Sequence, residues 1–211
     1  MTYDLGASYR AARERITALV SADGVDVSRR VPATPEWTAR DVLAHLAGVT
    51  QDAATGNMAG APGDAWTAAQ VQRGANLAER DLLSLWGEHA PVLEGLLSSP
   101  HGGAASAAVM DVHCHEADLR HAFGLAADLP SDFLAWAGAA MRERFTSQVA
   151  EAGLAPVDVS ADDFEWFRGR LGRRTAAEVS AYGWSADPAP YLDLFFIFGR
   201  AAQPLGETRG S

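Results

Sequence analysis

The sequence predicts an all-α fold: an antiparallel helix bundle followed by a smaller helical cap at the C-terminus. Three observations predict it. Apolar residues recur at three- and four-residue steps, as in Leu5, Tyr9, Ala12, Ile16 and Leu19. Capping residues stand where such runs begin, Thr38 and Thr175 foremost. The opening segment has none of the two-residue alternation of a half-buried strand. A chain of 211 residues suits one buried core of roughly 150 residues plus an appendage, so the expected division is 1–154 and 155–211.

The elements follow in order. The first helix spans 3–21, and Arg10, Arg13, Glu14 and Arg15 lie between its apolar positions. The connector DGVDVSRRVPATPEW breaks the helical pattern with a glycine and two prolines. The second helix runs over about 39–54: Thr38 caps it, Asp41 sits near the positive end of its dipole, and Trp37 is placed to staple onto Val42. After the small-residue loop TGNMAGAPGDAW, the third covers 66–88 and 91–99 around a break at Pro91. The fourth covers 105–124 and the fifth 131–153, stopped by Gly124 and Gly153. Beyond Pro156 the pattern predicts a short extended piece at PVDVS, a short helix at DDFEWFRGRLGRR, and another opened by a Thr175/Glu178 capping box. The aromatic tail Tyr191, Phe195, Phe196 and Phe198 is expected to pack back on the bundle. No internal repeat and no sustained heptad pattern is present.

Composition narrows the function. Hydrophobic residues at 48% and charged residues at 21% exclude a disordered chain. A net charge of -10 argues against nucleic acid, because phosphate binding requires clustered Lys and Arg. The first fifteen residues lack the apolar core of a signal peptide and no run of about 18 apolar residues occurs, so neither secretion nor a membrane span is expected. The single cysteine, Cys114, fits a reducing, cytoplasmic setting.

The densest ionisable stretch is MDVHCHEADLRH, residues 110–121, within an otherwise apolar helix. At about 100° per residue, Asp111, His115 and Asp118 share one stripe, so Asp111 and His115 can reach one ion together. On the second helix Asp41, His45, Gly48 and Asp52 form a thin stripe beside Val42, Leu46 and Val49, which turns His45 inward. Brought together, His45, Asp111 and His115 form a three-ligand set with an open position, as catalytic zinc sites do. Each residue has a plainer alternative: an inward histidine hydrogen-bonded in the core, or Asp118 paired with Arg120 or Arg144 rather than orienting His115. Cys114 reads as a small buried residue rather than a fourth ligand. Glu116 is the substitute ligand if the register is shifted, and His113 and His121 are peripheral.

TPEWTARDVLAHLAG and DVHCHEADLRHAFG resemble the DinB-like superfamily, and specifically the mycothiol-dependent maleylpyruvate isomerase family of actinobacteria. FEWFRGRLGRRTAAEV and YGWSADPAPYLD are similar to the ends of its short members. The resemblance implies a four-helix bundle holding a divalent metal, zinc being the expected ion, through His45, Asp111 and His115. It also implies mycothiol as co-substrate, its thiol activated on the metal for addition or transfer to a small electrophile. Two departures stand out: Asp111 occupies the place of a glutamate, and the larger C-terminal domain of the family's isomerase has no counterpart here. An anionic partner would need positive charge, for which Arg168, Arg170, Arg173 and Arg174 are candidates. The first expectation is thus a thiol transferase or isomerase, acting as a monomer or homodimer without nucleic acid or membrane. The alternatives are a hydrolase or lyase using metal-bound water with Asp118 or Glu116 as proton carrier, and a non-catalytic small-molecule-binding bundle.

Overall fold

The computed structural model describes residues 3–209, which divide after Ala127 into two compact units. The first holds α1 (Leu5–Val20), α2 (Ala39–Thr55), α3 (Asp64–Gly74), α4 (Glu79–Leu97) and α5 (Ala107–Ala122). Helix α1 packs on α4 and α5, and α2 packs on the same two helices, so α1 and α2 lie diagonally in a four-helix bundle, with α3 laid on α2. The 21–38 connector spans this diagonal and carries a small antiparallel hairpin, β1 (Arg30–Val31) and β2 (Thr34–Thr38).

Local chemistry sets the helix ends. Asp4 caps α1 by accepting from the Ala7 amide, and Tyr9, Ala12, Ile16 and Val20 form its buried stripe. Burying each of the larger side chains in that stripe contributes about 2 kcal/mol. Thr38 and Asp41 cap α2 reciprocally in the predicted box, and Gly56, at φ 76°, closes the helix in the left-handed conformation. Residues 42–50 of α2 are all buried, which makes it the central helix of the unit.

The expected break at Pro91 is corrected. Pro91 lies inside α4 on its exposed side, and the chain breaks at 75–78 instead. Two contacts fix the break. Gly74 presses on Ala44, where an added Cβ would come within 2.4 Å of the alanine methyl. Arg40 Nη2 then donates to the carbonyls of Gly74 and Ala75 at 3.1 and 2.9 Å and to that of Leu77, satisfying the end of α3. Against this, Pro91 removes one helical hydrogen bond at a position where water can replace it.

The second unit begins with α6 (Ser131–Glu151), which packs on α7 (Asp163–Arg170) and α9 (Leu192–Phe195). This division falls earlier than the 154/155 boundary expected from the sequence, because α6 shares its core with the segments after it. Phe133 meets Phe167 edge-on at 5.0 Å, Phe145 meets Trp166 at 5.7 Å, and Phe195 lies 5.3 Å from Trp166. The predicted extended piece is β3 (Val159–Ser160), paired antiparallel with β4 (Gly183–Trp184). Thr175 and Glu178 form the predicted capping box of α8 (Ala176–Ser180). Among the described residues, no helix is long and apolar enough to cross a membrane.

Candidate metal centre

Two helices of the first unit build the site. On α5 the four-residue step places Asp111 and His115 on one face, and the capping box of α2 fixes the register that turns His45 toward them. His45 Nε2 lies 3.2 Å from Asp111 Oδ2, and His115 Nε2 lies 3.5 Å from Asp111 Oδ1. One ligand atom from each of the three residues falls within 4.8 Å of the others. Tetrahedral bonds of 2.0–2.1 Å separate neighbouring ligand atoms by about 3.3 Å, so this spacing suits one small divalent ion. The imidazoles are buried, whereas the Asp111 side chain is 32% exposed, so the site opens on the carboxylate side.

The surroundings test whether these residues fit a cation. His45 Nδ1 is 2.8 Å from Gln70 Oε1, and His115 Nδ1 is 3.1 Å from Asp118 Oδ2, an approach too oblique for an aligned hydrogen bond. Each imidazole thus turns one nitrogen toward an outer acceptor and its Nε2 toward Asp111. The Gln70 contact to His45 is of the hydrogen-bonded kind that holds histidine ligands of metals. The two Nε2 atoms and the Asp111 carboxylate converge, with His45 Nε2 also 3.5 Å from Asp111 Oδ1, and two imidazole nitrogens with one carboxylate form a donor set that fits a divalent ion. Three protein ligands leave at least one further position for a substrate atom.

The Trp37 ring lies 5.3 Å from that of His45 and 6.0 Å from that of His115, and the two imidazoles meet edge-on at 5.2 Å. This indole walls the site, a placement that the expected staple onto Val42 did not anticipate. Gln70 was also missed. It comes from α3, and its approach depends on Gly48: a Cβ there would sit 2.6 Å from Gln70 Cβ. The only sequence signal was the stripe of Gly48 and Asp52 beside His45. Behind Gln70, Asp52 accepts from Gln70 Nε2 at 2.9 Å and from Arg73 at 2.7 Å.

Other candidates are placed as follows. Asp118 is fully buried behind His115. Glu116, also fully buried, accepts two 2.7 Å hydrogen bonds from Arg15 and a longer one from Arg120, tying α5 to α1. His113 is buried with Nδ1 on the Val109 carbonyl, and Cys114 is buried in the core. Arg168, Arg170, Arg173 and Arg174 lie in the second unit. Arg168 and Arg174 both pair with Glu207, and Arg174 also pairs with Glu165. Arg170 donates to the Leu194 and Phe195 carbonyls and to Gln148, and Arg173 donates to the Leu171 carbonyl.

A helix bundle presenting a His–Asp–His set open to solvent on one side defines a class of candidate metal-binding proteins. Within it, the chain belongs to the family described as the mycothiol maleylpyruvate isomerase N-terminal domain, which residues 9–120 match, just over half of the sequence. The bundle is accordingly the all-α, DinB-like fold expected from the sequence. The matched stretch contains His45, Asp111 and His115 as well as Asp52, Gln70 and Asp118. No curated protein and no solved structure matches the chain.

Proposed function

We propose that this protein is a cytoplasmic, metal-dependent thiol transferase or isomerase that adds a low-molecular-weight thiol, mycothiol in the first instance, to a small electrophile. The observation that carries the reading is the convergence of His45 Nε2, His115 Nε2 and the Asp111 carboxylate on one point with an open side. A divalent ion held there, zinc being well suited to two imidazoles and a carboxylate, would keep a thiol deprotonated at neutral pH. His45 and His115 hold the ion from the buried side. Asp111 holds it from the exposed side, where substrate must enter. Trp37 narrows that entrance and limits water beside the nucleophile. We assign Asp118 to orienting His115 rather than to proton transfer, and Glu116 to the ion pair with Arg15.

An anionic thiol or substrate would still need positive charge, the role expected of Arg168, Arg173 and Arg174 from the sequence; Arg168 and Arg174 are instead buried in ion pairs with Glu207. The test is turnover of electrophiles, maleylpyruvate among them, by zinc-loaded protein with and without mycothiol. Turnover that requires both thiol and metal, and that falls at least ~100-fold in His45→Ala, supports the proposal. Turnover without added thiol identifies a hydrolase or lyase instead, and no turnover with bound metal favours a non-catalytic binding bundle.

A further inference from the structure

In the second unit, α7 and the turn after it offer a set of charges whose parts all come from residues 162–174. Arg168 and Arg174 are both buried. Glu165 accepts from Arg174 Nε at 2.7 Å and from its Nη2 at 3.0 Å, a two-point grip that fixes the guanidinium from within the unit. Asp162, the cap of α7, places a second carboxylate near Glu165, and the buried Phe164 supplies a ring beside the Arg174 guanidinium, 5.7 Å away. The surface so formed carries two cations, two anions and one aromatic ring.

A segment more than thirty residues further along the chain fills that surface. Its root is tied down where the Ile197 and Ala201 amides donate to the Arg170 and Arg174 carbonyls at 2.8 and 3.0 Å. Residues 202–206 then run exposed, apart from the half-buried Leu205. At Glu207 the side chain turns inward to 2% exposure. Its Oε2 lies 3.0 Å from Arg168 Nη2 and accepts from Arg168 Nε at 3.1 Å, while its Oε1 accepts from Arg174 Nη1. Two residues on, Arg209 donates to Asp162 Oδ2 at 2.6 Å and to Glu165, with its guanidinium 4.7 Å over the Phe164 ring. The anion of the segment thus meets the two arginines, and its cation meets the two carboxylates and the ring.

We propose that α7 and the turn after it form a peptide-binding site for a Glu-x-Arg segment, that residues 202–209 are its ligand within the chain, and that this ligand detaches and rebinds while the rest of the second unit stays folded. The scaffold does not depend on the ligand: Glu165 holds Arg174, and Phe133, Phe145, Trp166, Phe167 and Phe195 pack together without the segment. The exposed stretch 202–206 acts as a tether, which keeps the segment at an effective concentration in the millimolar range, so the site is filled from within. A guanidinium pair stripped of a buried carboxylate is costly, and that cost favours refilling by any segment of the same charge pattern. The site is independent of the metal centre and of the function proposed above.

The test uses the full chain with Glu207→Ala and Arg209→Ala together, which empties the site. A synthetic peptide of residues 201–211 is titrated into it by calorimetry, beside the same peptide carrying Glu207→Ala or Arg209→Ala. The unaltered peptide is expected to bind one to one and to raise the melting temperature of the variant, and each altered peptide to bind at least ~10-fold more weakly. A folded variant that takes up no peptide at about 1 mM, or that binds all three peptides alike, overturns the proposal. Should the double variant fail to fold, a protease site is built across Gln203 and Pro204 in the otherwise unaltered chain and cut. Exchange of the cut segment for a labelled peptide of residues 204–211 is then compared with the unfolding rate of the cut protein. Exchange at least ~10-fold faster than unfolding is expected, because the segment leaves by local opening. Exchange no faster than unfolding overturns the proposal.

Discussion

At the scale of single residues, the charged groups of α5 divide by the side of the helix they occupy. Asp111 and His115 face His45, whereas Glu116, one step round, is buried against Arg15. Removing one member of a buried ion pair costs about 3 kcal/mol, because the remaining charge loses its partner. Glu116→Ala should therefore lower unfolding stability in urea by about that amount while leaving metal content unchanged; loss of metal would place Glu116 in the centre instead. Tyr9 gives a pH signature. Burial pushes its phenol up to about 12 from 10.0, even though Thr50 and Trp86 hydrogen-bond to it. Its folded value is raised, so the stability it contributes is present below pH 10 and is lost as pH rises toward 12. Denaturation at pH 9 and pH 11.5 should show a fall in wild type that is smaller in Tyr9→Phe. The candidate ligand residues were legible because each stood out on a helical stripe, but the place of Trp37 was not: only the turn from β2 into α2 brings its ring to the imidazoles.

At the scale of elements, α3 matters more than its polar sequence suggests. It carries the Gln70 that holds His45, and it docks where Gly48 and Gly74 let it approach α2. Gly48→Ala sets two effects against each other. Alanine gains about 1 kcal/mol in helix propensity, but its methyl would meet Gln70 at 2.6 Å, an overlap costing about 1–3 kcal/mol. The overlap should win, giving a lower melting temperature and weaker zinc binding; an unchanged zinc affinity would show that α3 does not hold the site. Capping chemistry made α2 and α8 readable, since Thr38–Asp41 and Thr175–Glu178 are local signals. The α3–α4 break was not readable, because it is imposed by Arg40, more than thirty residues away in sequence. Likewise, nothing in the connector marked Arg30–Val31 and Thr34–Thr38 as a paired hairpin rather than a loop.

At the scale of the molecule, the two units are held together internally by different means. The first is a helix bundle around apolar stripes; the second closes over stacked aromatic rings and a network in which Glu165 and Glu207 receive Arg168, Arg174 and Arg209. Burial pushes the Glu165 carboxyl up, but the hydrogen bonds from Arg174, Tyr182 and Arg209 overcome it and bring it down to about 2. A lowered value means that its stabilisation is complete above the ordinary 4.5 and is lost as pH falls toward 2. Thermal melts between pH 5 and pH 2.5 should fall less steeply in Glu165→Gln, which is already weakened at pH 5. The sequence showed helix content and the half that carries His45, Asp111 and His115, where periodicity is strong. It did not show that α6 joins the segments after it, because that grouping rests on Phe133, Phe145 and their long-range partners. The central claim is that His45, Asp111 and His115 hold one divalent ion. Elemental analysis of the full chain purified after growth with zinc tests it most directly. One equivalent of metal per chain, lost in both His45→Ala and His115→Ala with the helix content retained, is the result expected. Less than about a tenth of an equivalent in wild type, or full occupancy in both variants, would contradict it.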